Sequence, residues 1–182
     1  MTILMARSVR RIFTGLRQRR AARVRSGGDN VSDTPDLERF VLAQDGGDAY
    51  ATARAEIRDG EKRSHWIWFV FPQLAGLGFS DVSRAYAIAD LDEARAFLAH
   101  PVLGRRLREI TELTNQRASM NAREIFHDDD VKFHSSVTLF SLAAPEDPVF
   151  RAALDLFFDG VRDERTEAIL AAQVTAHRAD FQ

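Results

Sequence analysis

Of the 25 cationic side chains in this sequence only two are Lys, and each falls in a segment crowded with other functional groups. Lys62 stands in GEKRSHWIWFVFPQ with Ser64, His65, Trp66 and Gln73. Lys132 stands in DDDVKFHSSVT with Asp130, His134 and Ser136. An ammonium is a compact point charge suited to holding a phosphate and, when desolvated, to proton transfer; a guanidinium is a planar fork that stays charged. The chemistry the two segments point to is therefore capture of an anion. Lys132 and Ser136, four residues apart, share a face of any helix through them and would present an ammonium beside a hydroxyl. A mid-helix Ser more often bonds back to its own helix, and two surface Lys need no function, so both alternatives stay open here.

Other groups extend the candidate site. Gly76-Leu-Gly78 lacks the spacing of a phosphate-binding loop, so its glycines are expected to serve a tight turn. Ser80 follows as the cap of a helix whose free N–H groups would attract an anion. Trp66 and Trp68, two apart, point different ways on a helix, so at least one, with Trp66 preferred, is a candidate stacking wall for a base or sugar, core packing being the commoner role. Trp68 and Phe69 are assigned to the core. His65 is suited to proton transfer or orientation near pH 7, and Glu56 or Asp130 could supply the acid for hydrolysis of an N-glycosidic bond. With no Cys and no H-x₃-H or HExxH spacing, neither a metal nor another cofactor is expected. One reading is a binder, or hydrolase, of a small anionic molecule of the nucleotide or ADP-ribose type. The other is a non-catalytic structural or protein-interaction domain with the aromatic block as its core.

These groups need elements to hold them, and the pattern is helical throughout. Thr34-Pro35 followed by acids reads as the start of a first helix with Phe40 inward, ended by DGGD at 45–48. A second helix spans 48–59, with Tyr50, Ala53 and Ile57 inward and Gly60 as its stop. The aromatic run at 65–71 reads as a short buried helix capped by Ser64 and ended by Pro72. Ser80 opens a helix to Ala87, and Asp90-x-x-Glu93 opens another to Ala99. Val102, Leu103, Leu107, Ile110 and Leu113 form the strongest amphipathic stripe. Short and longer helices follow over 120–126, 131–142, 148–160 and 164–178. No alternating strand pattern occurs, so the fold is expected to be all-α, a compact multihelical single domain.

The net charge of −2 conceals an asymmetry. Up to Gly28 there are eight Arg (7, 10, 11, 17, 19, 20, 23 and 25) and no acid; the remaining 17 cations face 27 acids, leaving that part at −10. Residues 1–33 are accordingly expected to be a flexible, disordered basic extension and linker, and residues 34–180 the helical domain. The arm has the composition that contacts nucleic acid or a membrane surface. No run of 18 apolar residues could span a membrane, and with no Cys a cytoplasmic location is expected.

The residues also carry a resemblance. Phe40-x₃-Gln44, Tyr50, Glu56, Gly60-x-Lys62-x-Ser64-His65-Trp66-x-Trp68-Phe69-x-Phe71-Pro72-Gln73, Gly76-Leu77-Gly78-x-Ser80, Tyr86, His100-Pro101-x-Leu103-Gly104-x-Arg106-Leu107 and Asp130-x-Lys132-x₂-Ser135-Ser136-x-Thr138-Leu139-Phe140 closely resemble domain-of-unknown-function family 1810, a bacterial family, over roughly residues 36–170. The family often carries a calpastatin-like label; an inhibitor of that kind is a disordered polypeptide, unlike a chain with this aromatic block. The resemblance implies a compact multihelical domain and brings no activity with it. The basic arm lies outside its pattern.

Overall fold

The computed structural model describes residues 35–179, so the basic arm, the linker and the Thr34 cap lie outside the described residues. Within them the chain forms α1 (Glu38–Asp45), a 3₁₀ turn (Gly46–Asp48), α2 (Ala49–Asp59), α3 (Ile67–Val70), α4 (Asp81–Ala85) and α5 (Leu91–Ala99). It continues through α6 (Leu103–Asn115), α7 (Ala122–Phe126), a 3₁₀ turn (His127–Asp129), α8 (Asp130–Ala143), α9 (Pro148–Phe157) and α10 (Glu164–Ala179). No strand occurs among these residues, only an isolated parallel bridge between Leu74 and Ile88. None of the described helices is long and apolar enough to cross a membrane.

The centre is α8, because its sequence FHSSVTLFSLA is apolar or small on every side, as a helix surrounded by protein must be. It buries Phe133, Val137, Leu139 and Phe140 together with Ser135, Ser136, Thr138 and Ser141, and packs against α3, α5, α7, α9 and α10. Phe133 is the hub of the aromatic core. It stacks on Phe126 at 4.5 Å between ring centres, meets Phe71 edge-on at 5.0 Å and touches Phe157 and Phe158. The stripe expected on α6 is buried through Leu103, Leu107 and Ile110 against α2, α5 and α9.

Local signals placed many boundaries. Ser80 accepts from Ser83 N–H to cap α4, Asp90 accepts from Glu93 N–H to cap α5, and Asp147 with Pro148 opens α9. The aromatic run differs from expectation. Only one helical turn forms, and Ser64 does not cap it, because the Glu56 carboxylate at the end of α2 takes the Ser64 hydroxyl instead. Pro72 then holds Phe71 out of the helical region, at φ −118° and ψ 71°.

The assignment of Trp68 and Phe69 to the core also needs correction. One short turn can bury a single stripe, and it buries Trp66, Ile67, Val70 and Phe71, leaving Trp68 and Phe69 half-buried. Replacing Phe133 by Ala should therefore cost on the order of 3–5 kcal/mol, and replacing Trp68 by Ala clearly less, in urea unfolding of both variants. Equal losses would contradict this assignment of the core.

Candidate functional site

Two carboxylates, one buried and one half-buried, fix the segment that carries Lys62. The first, Glu56, is saturated with donors. Its Oε1 accepts from the Ser64 hydroxyl, and its Oε2 from Arg63 N–H at 2.9 Å, Ser64 N–H at 3.0 Å and Trp66 Nε1 at 2.7 Å. Burial acts to raise its pKa, but these four hydrogen bonds outweigh burial and hold the carboxyl below its usual range. A carboxylate so occupied is a poor proton donor, which corrects Glu56 as a candidate acid.

The second carboxylate is Asp129, which ends the 3₁₀ turn before α8. Its Oδ2 lies 2.5 Å from Lys62 Nζ and its Oδ1 2.5 Å from Lys132 Nζ. Burial again acts to raise the Asp129 pKa, and the hydrogen bonds from Lys132 and then Lys62 lower it on balance. Lys62 also donates to the Ser64 carbonyl at 2.7 Å, while its backbone N–H donates to the Ile125 carbonyl at 2.7 Å. Each ammonium lies over an indole: Lys62 is 5.2 Å from the Trp66 ring centre and Lys132 is 6.0 Å from that of Trp68.

Lys132, and not Lys62, opens onto a cleft of about 490 Å³. Trp68, Gln73, Val131, Lys132 and Ser135 line it together with Leu77, Gly78, Phe79, Ser80 and Ser83 of the 74–88 loop and Asp163 and Arg165 at the start of α10. The ends of that loop are tied by Ala75 N–H to Ile88 O at 2.8 Å and Ile88 N–H to Gln73 O at 2.9 Å. Gly76 adopts φ +97°, and a Cβ on Gly78 would lie 2.5 Å from the Ser83 side chain, so the turn needs both glycines. Gln73 Nε2 donates to Ser135 Oγ at 2.6 Å, pinning the loop to α8. Asp163 donates its N–H to Thr138 Oγ1, while its carboxylate accepts from Thr166 N–H and Oγ1, fixing α10 to α8. A second hollow of about 260 Å³ adjoins through Gln73, Gly78 and Ser83, and Gly76 lines this one.

Of the candidate residues the structure brings Gln73, Gly78, Ser80 and Lys132 to the larger cleft. The others lie elsewhere. Trp66 is 1% exposed and offers no face to a ligand; Trp68 provides the indole wall. Lys62 is a buried partner of Asp129, and Ser64 serves Glu56. His65 is exposed and parallel to Trp68, with 6.5 Å between ring centres, outside the cleft lining. Asp130 accepts from Val131 N–H and also lies outside the lining. Ser136 is fully buried with its hydroxyl lacking a hydrogen-bond partner in this structure. At about 100° per residue Ser136 turns from Lys132 towards Phe133 and Phe140, whereas Ser135 turns the other way, to the loop. Asp129, Asp163 and Arg165 were not singled out by sequence. Asp129 could have been found as the acid three residues before Lys132, and Asp163 as the cap three residues before Thr166.

The fold and site define a multihelical protein with a Trp-walled, Lys- and Arg-bearing cleft beside its central helix. The chain belongs to the family described as protein of unknown function (DUF1810), whose model matches residues 34–170. It is similar to the conserved hypothetical protein Rv1873 from Mycobacterium tuberculosis, known from a crystal structure, at 47% identity over 75% of this chain and 96% of that one, with a TM-score of 0.72. No curated protein matches the chain.

With both carboxylates held below their usual range, each stabilises the fold above its unfolded-state pKa of about 4 and loses that contribution as pH falls through the lower folded-state value. The melting temperature should change little from about pH 7 to about 5 and drop steadily below about pH 4. Glu56→Gln should flatten that drop while lowering stability at neutral pH. A melting temperature that rises on acidification below pH 5 would contradict the assignment.

Proposed function

We propose that the cleft binds a small molecule joining an anionic group to a planar one, of the nucleotide or ADP-ribose class. The observation that carries the reading is the placement of the half-buried Trp68 indole, Lys132 and the exposed Arg165 on one cleft of about 490 Å³. That volume falls within the range of about 300–1,000 Å³ usual for ligand sites. A guanidinium and an ammonium can share one phosphate, the first through its fork and the second as a point charge. Trp68 offers a flat surface for a base, with the Ser80 and Ser83 hydroxyls and the Gln73 amide nearby to fix orientation. Among the described residues the carboxylate in the lining, Asp163, is committed to Thr166, so the reading is one of binding, without hydrolysis.

A second reading, docking of a protein partner, is favoured by Phe79 and Val131, which border the same cleft and are 78% and 64% exposed. Thermal-shift titration with AMP, ADP-ribose and inorganic phosphate separates the two. A ligand at a hundredfold over its Kd stabilises by about 2.7 kcal/mol, and that gain should be lost in Lys132→Ala. No shift with any of the three at millimolar concentration, or an undiminished shift in the variant, would overturn the small-molecule reading.

A further inference from the structure

Lys132 is the cation that lines the cleft from α8, yet its ammonium is already engaged by Asp129 at 2.5 Å. The three charged groups are not equivalent. The Lys132 side chain is 26% exposed and reaches the cleft, whereas Lys62 is 8% exposed and is held from both ends, by Ser64 O at its ammonium and by Ile125 O at its backbone N–H. Asp129 gives one oxygen to each Lys, and neither Asp129 nor Lys62 lines the cleft.

We infer that Asp129 is an internal competitor for the ligand's anionic group: Lys132 exchanges Asp129 Oδ1 for the incoming anion, while Lys62 keeps the carboxylate paired. The inference deepens the binding reading above and rests on it. Without Lys62 the exchange would leave a half-buried carboxylate with no counter-ion, which is strongly unfavourable; with Lys62 in place the carboxylate retains a partner on Oδ2 throughout. Lys62 is thus a positioning residue, acting on the ligand through Asp129. The arrangement also selects its ligand. An anion must offer Lys132 more than the carboxylate already does, and a terminal phosphate, carrying about −1.5 to −2 charges near pH 7 with three acceptor oxygens, does so where a single carboxylate merely equals it. Arg165 on the same cleft can take the remaining oxygens.

The test is calorimetric titration of AMP, and separately of inorganic phosphate, at about 0.15 M salt into the full-length protein, into Lys62→Met and into the double variant Lys62→Met/Asp129→Asn, each checked for folding by circular dichroism. Lys62→Met should bind AMP more weakly, because Asp129 then holds Lys132 alone. The double variant removes one positive and one negative charge, so the local net charge is unchanged, while Lys132 is released; it should bind AMP more tightly than the wild type, by about fivefold. Replacing a buried ion pair by neutral groups is often tolerated, which makes the double variant usable even where Asp129→Asn alone fails to fold. Wild-type or weaker affinity in the double variant, with AMP bound by the wild type, overturns the competitor and leaves the binding reading standing. Absence of AMP and phosphate binding from all three proteins overturns the binding reading, and the competitor with it.

Discussion

Two ammonium groups from positions seventy residues apart can be brought side by side in a folded interior only if a carboxylate lies between them. Two positive charges held against one carboxylate repel each other, and burial of Lys62 adds a desolvation cost. Asp129 removes both difficulties by giving one oxygen to Lys62 and the other to Lys132. This shared contact joins the aromatic segment to the start of the central helix. The position of the Trp68 wall relative to Lys132, and so the shape of the cleft, depends on it.

Glu56 does for the backbone what Asp129 does for the charges. By taking two consecutive backbone N–H groups, a hydroxyl and an indole N–H, it folds residues 63–66 back over α2 and commits Trp66 to the core. The next indole, two residues on, then emerges on the cleft side. The division of labour between the two Trp residues follows from one buried carboxylate rather than from their own chemistry. On the far wall the same economy operates through Asp163, which caps α10 and ties it to Thr138 of α8.

Much of this was legible in the sequence where the determinant is local. Ser80, Asp90 and Pro148 mark helix starts because caps act within one turn, and the α6 stripe is visible because its period is set by the helix itself. The rarity of Lys in an Arg-rich chain pointed to the two segments that meet at Asp129. What sequence misassigned were long-range choices. Which Trp is buried depends on Glu56, ten residues before Trp66, and the competition for the Ser64 hydroxyl between a helix cap and Glu56 has no local signature. The choice between Ser135 and Ser136 is a rotation of α8 set by Phe133 and Phe140 packing inward. Arg165 enters the cleft only because α10 returns to α8, a tertiary contact that periodicity does not encode.

That Lys62 and Asp129 act as one coupled pair is tested most directly by a double-mutant stability cycle in urea with Lys62→Met, Asp129→Asn and the two together. Asp129→Asn leaves the buried Lys62 ammonium without its carboxylate, whereas Lys62→Met leaves Asp129 with Lys132, so the loss in Asp129→Asn should shrink when Lys62 is also replaced, with a coupling of at least about 1 kcal/mol. Additive losses, with the double variant equal to the sum of the singles, would contradict the account.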